Sequence, residues 1–401
     1  MGSGARIVVL AIAVALAGAC AAPGTAAVPV ARPTVEVALV DVFSGPTGET
    51  GRQLRNGLEL AAGDINARGG LLGQQIEIVS ADGELNPGKA AELVRQQVGD
   101  PSVGLVVGPN HTASFQAARP ALDASGVSSC LVRVSDEALS SARSTFRVAA
   151  ANSAEVAVLL DAVHRAHADV RKIGLLDEGD DLGRSYDSQL AAQSGGAGLN
   201  YVGHVSAGPA ADQRGALQQL AGQGAQVVVL SQQPAGAVRV AQAASQLGSG
   251  RPLLAGFGAL ADYAFAGQGG EAATGAILAT TPQAYLTSAP QAQWPPTYRA
   301  FVGESARLYG VGVEGMQLQA TPAAADCLLQ WSRAVQAAGA FRGAQVARAW
   351  ESLDLSASET ALGVRERLTT GDHNAVAQDQ LVAYTWTKAG ARSLLVQVPT
   401  G

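Results

Sequence analysis

Short apolar strands alternate with amphipathic helices along most of the chain, and this alternation constrains the fold more than any other feature. The strand VEVALV (35–40) precedes a helix at 52–67, on which Leu54 and Leu58 share one stripe, and the strand IEIV (76–79) follows. Repeats of strand, helix and strand build parallel sheets with helices on both faces. The sequence therefore predicts an α/β fold.

The alternation occurs in two series, which predicts two doubly wound lobes. The first series continues through VGLVV (103–107) and a short strand near 127–132. The second runs from a helix at 152–168 through IGLL (173–176) to PLLA (252–255). In open α/β sheets, ligands bind outside the carboxyl ends of the strands. Two such lobes facing each other predict a binding cleft between them.

The first twenty residues are typical of a secretory signal rather than of the fold. Arg6 precedes the apolar run 7–16, which is too short to span a membrane, and Ala17-Gly-Ala-Cys20 follows. This ending resembles a bacterial lipobox with Cys20 as the lipidated residue. The alternative is ordinary secretion, with Cys20 near or inside the removed peptide. Residues 1–20 are therefore predicted to be a signal peptide, and Pro-rich 21–34 a tether.

The two remaining cysteines lie far apart in the chain, in apolar surroundings. Cys130 stands in GVSSCLV and Cys327 in AADCLLQW. They could pair in an oxidising compartment, but two separately buried thiols are the preferred interpretation.

Charge and motifs exclude several functions. A net charge of −6 and a pI of about 5.4 give no basic surface for nucleic acid. The segment GRSYD (183–187) begins like a nucleophile elbow but ends in Asp187 and so does not complete that motif. No other nucleophile motif appears, and the sequence therefore predicts a protein that is not an enzyme.

Three weak patterns for a cofactor or a metal favour ordinary structure instead. Gly256-Phe-Gly258 lacks the acidic residue of a dinucleotide site, and a tight turn explains it. The acidic run 177–181 lacks the spacing of a calcium loop, and His164 and His167 lack further zinc ligands. The sequence therefore predicts neither a cofactor nor a metal.

One polar cluster follows the strand at 103–107. It contains Asn110, Thr112 and Ser114, and the strand directs it toward the predicted cleft. A hydroxyl together with the first N–H groups of the next helix would form a cradle for an anion. Simple N-capping by Thr112 or Ser114 is the alternative, and one residue can serve both purposes.

At this point the chain resembles the branched-chain amino-acid-binding family of ABC-transporter solute-binding proteins. Several N-terminal stretches carry the resemblance: Phe43-Ser-Gly-Pro46, Asp64-Ile-Asn-Ala-Arg-Gly-Gly70, Leu72-Gly73, Asp82, Pro87 and Ala90. The resemblance implies a type I periplasmic-binding fold that crosses between lobes three times, near 147–151, 279–283 and 358–364.

The implied lobes are assembled from separate parts of the chain. Lobe one comprises 34–148 plus 282–360, and lobe two comprises 149–281 plus 361–398.

The family's pocket carries over only in part. The hydroxyl that would hold a ligand carboxylate falls on Thr112, and a second hydroxyl falls on Ser135. Arg133 stands where the family has a small residue, and Gln233 stands where it has an aromatic one.

Three further family positions have changed. Another aromatic position is Leu182, the aromatic of the first loop is Thr50, and the acid that would pair with an ammonium group is Gly258. The resemblance thus implies a pocket that is more polar and less aromatic than the family's, without the family's lobe-one disulfide.

These departures shape the expected function. Without the acid, a standard α-amino acid would leave its ammonium group unpaired in the cleft. Arg133 in the cleft would favour an anion. The alternative is that Arg133 points into solvent. We expect an exported monomeric lipoprotein on the outer face of the bacterial cytoplasmic membrane. It would bind a small polar solute at Asn110, Thr112, Arg133, Ser135 and Gln233 and deliver it to an ABC permease. The alternative is a sensor or envelope interaction protein with a degenerate pocket.

Overall fold

Two separate β-sheets organise the chain in the computed structural model. The structure describes residue 1 and residues 33–139, 142–208, 210–282, 288–390 and 392–399. The predicted signal segment after residue 1, Cys20 included, lies outside the described residues.

The first sheet belongs to the N-terminal part of the chain. Its strands are β1 (Thr34–Asp41), β2 (Gln75–Asp82), β3 (Val103–Val107), β4 (Ser128–Leu131) and β5 (Thr145–Arg147). The helices between them are α1 (Gly48–Ala67), α2 (Pro87–Gly99), α3 (Thr112–Ser125) and α4 (Asp136–Leu139). All pairs are parallel, in the order β2-β1-β3-β4-β5. Every residue of β3 and β4 is buried, as expected for strands covered on both faces.

The second sheet begins after the next helix. Its parallel strands are β6 (Lys172–Asp177), β7 (Asn200–Ser206), β8 (Val227–Ser231), β9 (Leu253–Gly256) and β10 (Ile277–Thr280). The helices are α5 (Asn152–Ala166), α6 (Asp181–Gln193), α7 (Gln213–Gly222), α8 (Pro234–Ser245) and α9 (Tyr263–Gln268). This region confirms the predicted second doubly wound lobe.

The C-terminal part contributes to both lobes. It contains α10 (Pro296–Tyr309), α11 (Ala320–Ala338), α12 (Ala344–Trp350), the two-stranded ribbon β11 (Asp354–Leu355) and β12 (Glu366–Arg367), and the strands β13 (Val382–Ala389) and β14 (Arg392–Gln397). The helix α11 packs along α1 in the first lobe. The last two strands add antiparallel pairs to the second sheet, whose order is β14-β13-β10-β9-β8-β6-β7.

The return of the chain to the second lobe comes later than predicted. Residues Leu362, Val376 and Leu381 are buried in the core of the first lobe, together with Leu39 of β1. The chain therefore changes lobes near 381–382, and assigning 361–381 to lobe two was wrong. The reason is that this segment has little regular structure, so no strand pattern marks the crossing.

A disulfide joins the two cysteines of the first lobe. Cys130 in β4 and Cys327 in α11 are bonded, with their Cα atoms 5.8 Å apart. The prediction of two separate buried thiols was therefore wrong. The sequence separation of 197 does not keep them apart in space, because α11 lies over the sheet that contains β4.

Within the described ranges, no helix has the length and apolar character needed to cross a membrane. The same residues contain no group of three or more His, Cys, Asp or Glu placed to hold a metal ion.

Candidate ligand-binding cleft

A cleft lies between the lobes, where loops after the carboxyl ends of both sets of strands face each other. The first lobe contributes residues that follow β1, β3 and β4, and the second lobe contributes residues that follow β8 and β9. The cavity measures ≈ 100 Å³, below the roughly 300 Å³ at which sites for drug-sized ligands begin. The cleft therefore has room for a small solute.

Three of the five predicted ligand residues lie in the lining of this cleft. Asn110 and Arg133 come from the first lobe, and Gln233 comes from the second. Thr112 and Ser135 do not line it, although both are close to residues that do.

The hydroxyl groups of Thr112 and Ser135 hold local structure together. The backbone N–H of Ser135 donates to Thr112 Oγ1 (3.0 Å), and Ser135 Oγ accepts from the N–H of Ala138 (3.2 Å) in α4. The first bond ties the loop after β4 to α3, and the second caps a short helix. The sequence left open an N-cap of α3 by Thr112 or Ser114, but the N-cap residue of α3 is His111, without a side-chain cap hydrogen bond. Ser135 caps a different helix, and the carboxylate cradle stays a prediction.

Asn110 fixes the floor of the cleft. Its Nδ2 donates to Asp41 Oδ2 (2.6 Å), and its Oδ1 accepts from the N–H of Val132 (2.7 Å). It therefore links the ends of β1, β3 and β4. Both ends of its amide have partners inside the protein. Asn110 therefore serves to shape the cleft more than to form hydrogen bonds with a solute.

Arg133 supplies positive charge to the first-lobe wall. It is half-buried, and in the described part of the chain it makes no hydrogen bond or ion pair. Its neighbour across the wall, His111, has a pKa lowered chiefly by burial, and Arg133 lowers that pKa further. Burial thus disfavours a charge on His111, and the guanidinium of Arg133 is the positive group of this wall.

Two stacked aromatic side chains form the second-lobe wall. The rings of Tyr186 and Phe257 have centroids 4.2 Å apart and planes at 11°. Leu182, which stands at an aromatic position of the family, is buried in the second-lobe core, and Tyr186 lies one turn further along α6. The cleft therefore has aromatic side chains at Tyr186 and Phe257, and the prediction that it is less aromatic than the family's pocket stays a prediction. The spacing of four residues along a predicted helix was the signal that could have found Tyr186.

Glu155 lies behind this aromatic wall, and its side chain also lines the cleft. The hydroxyl of Tyr186 donates to Glu155 Oε2. Burial is the largest influence on this carboxyl group and raises its pKa to about 7, although the bond from Tyr186 and the charge of Arg147 act in the opposite direction. The acid is therefore partly protonated near neutral pH.

A second buried acid, Asp262, lies in the loop after β9. It lines the cleft, accepts a hydrogen bond from the N–H of Leu318 (2.9 Å), and has a pKa raised by burial to about 7. The family's acid in this loop falls on Gly258 in this chain, so the sequence predicted that the acid was missing. Asp262, four residues later, supplies an acid to the same loop, but a short 3-10 turn at 258–260 displaces it from the expected register.

Polar groups at the start of α8 complete the second-lobe wall. The N–H of Gln233 donates to Glu178 Oε1 (2.8 Å). Ser231 Oγ and Gln232 Oε1 are buried, and neither has a hydrogen-bond partner among the described residues. Both residues line the cleft, and these two atoms have hydrogen-bonding capacity that the described residues do not use.

Fold and cleft together define a two-lobed binding protein, and solved structures of this kind match the chain closely. A periplasmic binding protein type 1 from Bordetella pertussis has a TM-score of 0.78 at 18% identity, over 91% of this chain and 100% of that one. A Streptococcus pneumoniae branched-chain amino acid transporter substrate-binding protein in complex with isoleucine has a TM-score of 0.72 at 19% identity, over 91% and 99%. A Rhodopseudomonas palustris ABC-transporter solute-binding protein in complex with benzoate has a TM-score of 0.74 at 20% identity, over 91% and 96%.

The chain belongs to the periplasmic binding protein family, whose model matches residues 34–391. This confirms the predicted family and fold, and it confirms that the protein is a binding protein rather than an enzyme. The family also implies an exported, extracytoplasmic location.

Curated relatives match over a shorter stretch. The Leu/Ile/Val-binding protein of Escherichia coli K12 is 33% identical over 93 residues, which are 23% of this chain and 25% of that protein. A Pseudomonas aeruginosa leucine-, isoleucine-, valine-, threonine- and alanine-binding protein is 33% identical over 112 residues, 28% of this chain and 30% of that protein. The chain thus matches only about a quarter of the length of these relatives.

Proposed function

We propose that this protein binds a small organic solute that carries a carboxylate group, and that Arg133 pairs with the carboxylate. The observation that carries the proposal is the charged guanidinium of Arg133, half-buried in the cleft without a hydrogen bond or ion pair in the described residues. Partly buried charge is costly unless it is paired, and guanidinium groups pair with carboxylates through two parallel bonds.

The remaining walls suit the rest of such a solute. Tyr186 and Phe257 offer an apolar surface, while Ser231 and Gln232 offer polar atoms without partners in the described residues. Isoleucine and benzoate, bound by two proteins of the same fold, both carry a carboxylate. These likenesses support a carboxylate without choosing between an amino acid and an aromatic acid.

The proposal includes delivery of the solute to an ABC permease by a monomer anchored to the outer face of the cytoplasmic membrane. Its support is the apolar run 7–16 followed by Ala17-Gly-Ala-Cys20. Incorporation of a labelled fatty acid that is lost in Cys20→Ser would distinguish a lipid anchor from ordinary secretion.

Calorimetry with isoleucine, leucine, benzoate, 4-hydroxybenzoate and the matching amides tests the binding. At least one carboxylate should bind, and its amide should bind more weakly. Arg133→Gln should weaken carboxylate binding by about tenfold or more, because a charged hydrogen bond contributes roughly 1.5–3 kcal/mol. The exposed Arg299, whose side chain does not line the cleft, provides the control Arg299→Gln, which should bind as the wild type does.

Two results would contradict the proposal: no binding of any small carboxylate, or equal affinity in the wild type and Arg133→Gln. The alternative of an interaction protein with a degenerate pocket was motivated by missing aromatic and acidic residues. Tyr186, Phe257 and Asp262 supply aromatic and acidic side chains to the cleft, which supports the binding of a solute over that alternative.

A further inference from the structure

Residues 317–319, just before α11, are anchored to the first lobe. Gln317 Nε2 donates to Thr50 Oγ1 (3.2 Å), and Thr321 Oγ1 donates to Gln53 Oε1 (2.9 Å). Thr50 and Gln53 both belong to α1. The 317–319 segment therefore moves with the first lobe.

The loop 257–262, opposite this segment, is anchored to the second lobe. Leu260 and Ala261 are buried in the second-lobe core, and the carbonyl of Leu260 accepts a bond from Trp386 Nε1 (2.6 Å) on β13. The two stretches thus belong to different lobes, although they touch.

Two contacts join the stretches at the rim of the cleft. The N–H of Leu318 donates to Asp262 Oδ1 (2.9 Å), and both residues are buried. The side chain of Gln319 lies against the backbone of Gly258, so closely that a Cβ at position 258 would overlap Gln319 Oε1. Gly258, Asp262, Gln317 and Gln319 all line the cleft.

We propose that Gln319 and Gly258 form an interlobe lock, which seats the 317–319 segment in the loop 257–262 and slows release of the bound solute. The proposal rests on the proposed function in so far as a solute is enclosed between the lobes. Gln319 is a positioning residue here, and Gly258 provides the space that it occupies.

The lock acts on the closed arrangement alone. When the lobes separate, the N–H of Leu318 and the carboxyl group of Asp262 exchange their mutual bond for water, and Gln319 leaves its space over Gly258. Contacts that exist only after closure change the dissociation rate more than the association rate. A Cβ at position 258 would take the place of Gln319 Oε1 and would force the end of that side chain out of its contact with the loop 257–262.

Four variants test this lock: Gly258→Ala, Gln319→Ala, the double variant, and Gly303→Ala as a control. Gly303 is exposed on α10, and a Cβ there would meet no atom within 4 Å. With the tightest carboxylate of the calorimetric panel, stopped-flow dissociation should be about tenfold or more faster in Gly258→Ala and unchanged in Gly303→Ala. The double variant should release the solute no faster than Gln319→Ala, because no long side chain then meets the new Cβ.

The lock would be overturned if Gly258→Ala released the solute at the wild-type rate. It would also be overturned if Gly258→Ala accelerated release by the same factor in the wild-type protein and in Gln319→Ala. Hydrogen exchange at the Leu318 amide in the ligand-free protein gives a readout that needs no solute. Exchange should be about tenfold or more faster in Gly258→Ala, and unchanged exchange would overturn the lock. Failure of the wild type to bind any carboxylate would instead overturn the proposed function and leave the exchange result standing.

Discussion

Glu155 shows how much the environment of one residue can change its chemistry. It is buried within the cleft, and desolvation raises its pKa from 4.5 to about 7 despite the bond from Tyr186. A carboxyl group whose pKa is raised by folding stabilises the folded state fully below its ordinary pKa. That stability is lost as the pH rises through the folded value.

Glu155→Gln should therefore weaken the dependence of stability on pH. The amide can still accept the bond from Tyr186 but cannot ionise. Between pH 4.5 and pH 8, the wild type should lose up to about 3 kcal/mol more than the variant, as measured by urea unfolding. The exposed Glu77 offers the control Glu77→Gln, which should keep the wild-type slope. Identical slopes in wild type and Glu155→Gln would show that Glu155 does not ionise in this range.

At the residue scale, the sequence predicted the cleft better than it predicted the roles of its residues. Arg133 and Gln233 line the cleft because each follows a strand of a parallel sheet, a position that sequence can locate. Thr112 satisfies the same rule, yet its hydroxyl is used by the N–H of Ser135. Local hydrogen bonds of that kind depend on loop geometry, which periodicity does not reveal.

At the level of elements, α1 and α11 pack against each other and together cover one face of the first sheet. Gly57 on α1 faces the carbonyl of Thr321 on α11, and a Cβ at position 57 would overlap that oxygen. The two backbones approach closely because no side chain separates them. By contrast, Gly63 on the exposed side of α1 has no atom within 4 Å of its missing Cβ.

Gly57→Ala should destabilise the protein by about 1–3 kcal/mol, since α11 must shift away from α1. Gly63→Ala, in the same helix, should be neutral or stabilising by about 0.4–1 kcal/mol, because alanine restricts the unfolded chain. Thermal unfolding of the two variants beside the wild type provides the measurement. A similar change in both variants would mean that helix propensity, not the approach of α11, governs position 57.

Periodicity located the long elements well, because their burial patterns are regular. The helix predicted at 52–67 ends at residue 67 in the structure, and the strand predicted at 103–107 has the predicted bounds. The three-residue β5 and the short α12 went unpredicted, since so few residues show no period. The misplaced third crossing has the same cause in the irregular segment 361–381.

For the whole molecule, the disulfide joins parts of the first lobe that are distant in sequence. Cys130 precedes the second lobe in the chain, and Cys327 follows it. The bond therefore closes a loop that contains most of the second lobe. Cross-links that close long loops restrict the unfolded chain strongly, and removing one typically costs about 2–5 kcal/mol.

Replacing Cys130 and Cys327 together by alanine should lower the thermal midpoint, and Cys20→Ala should not. Thiol titration of the denatured, unreduced protein should find no free thiol at either position. Two free thiols would restore the interpretation that the sequence alone favoured.

The divided first lobe has a consequence for an exported chain, which leaves the cell with its N-terminus first. The helix α11 covers one face of the first sheet, yet it begins at residue 320, long after β5 ends at residue 147. While the intervening residues emerge, α1 covers that apolar face only in part, whereas the second lobe already has five adjacent parallel strands and their helices. The first lobe therefore waits for a helix that emerges only after most of the second lobe, and the part of its sheet that α11 will cover is the surface that a chaperone outside the membrane would meet.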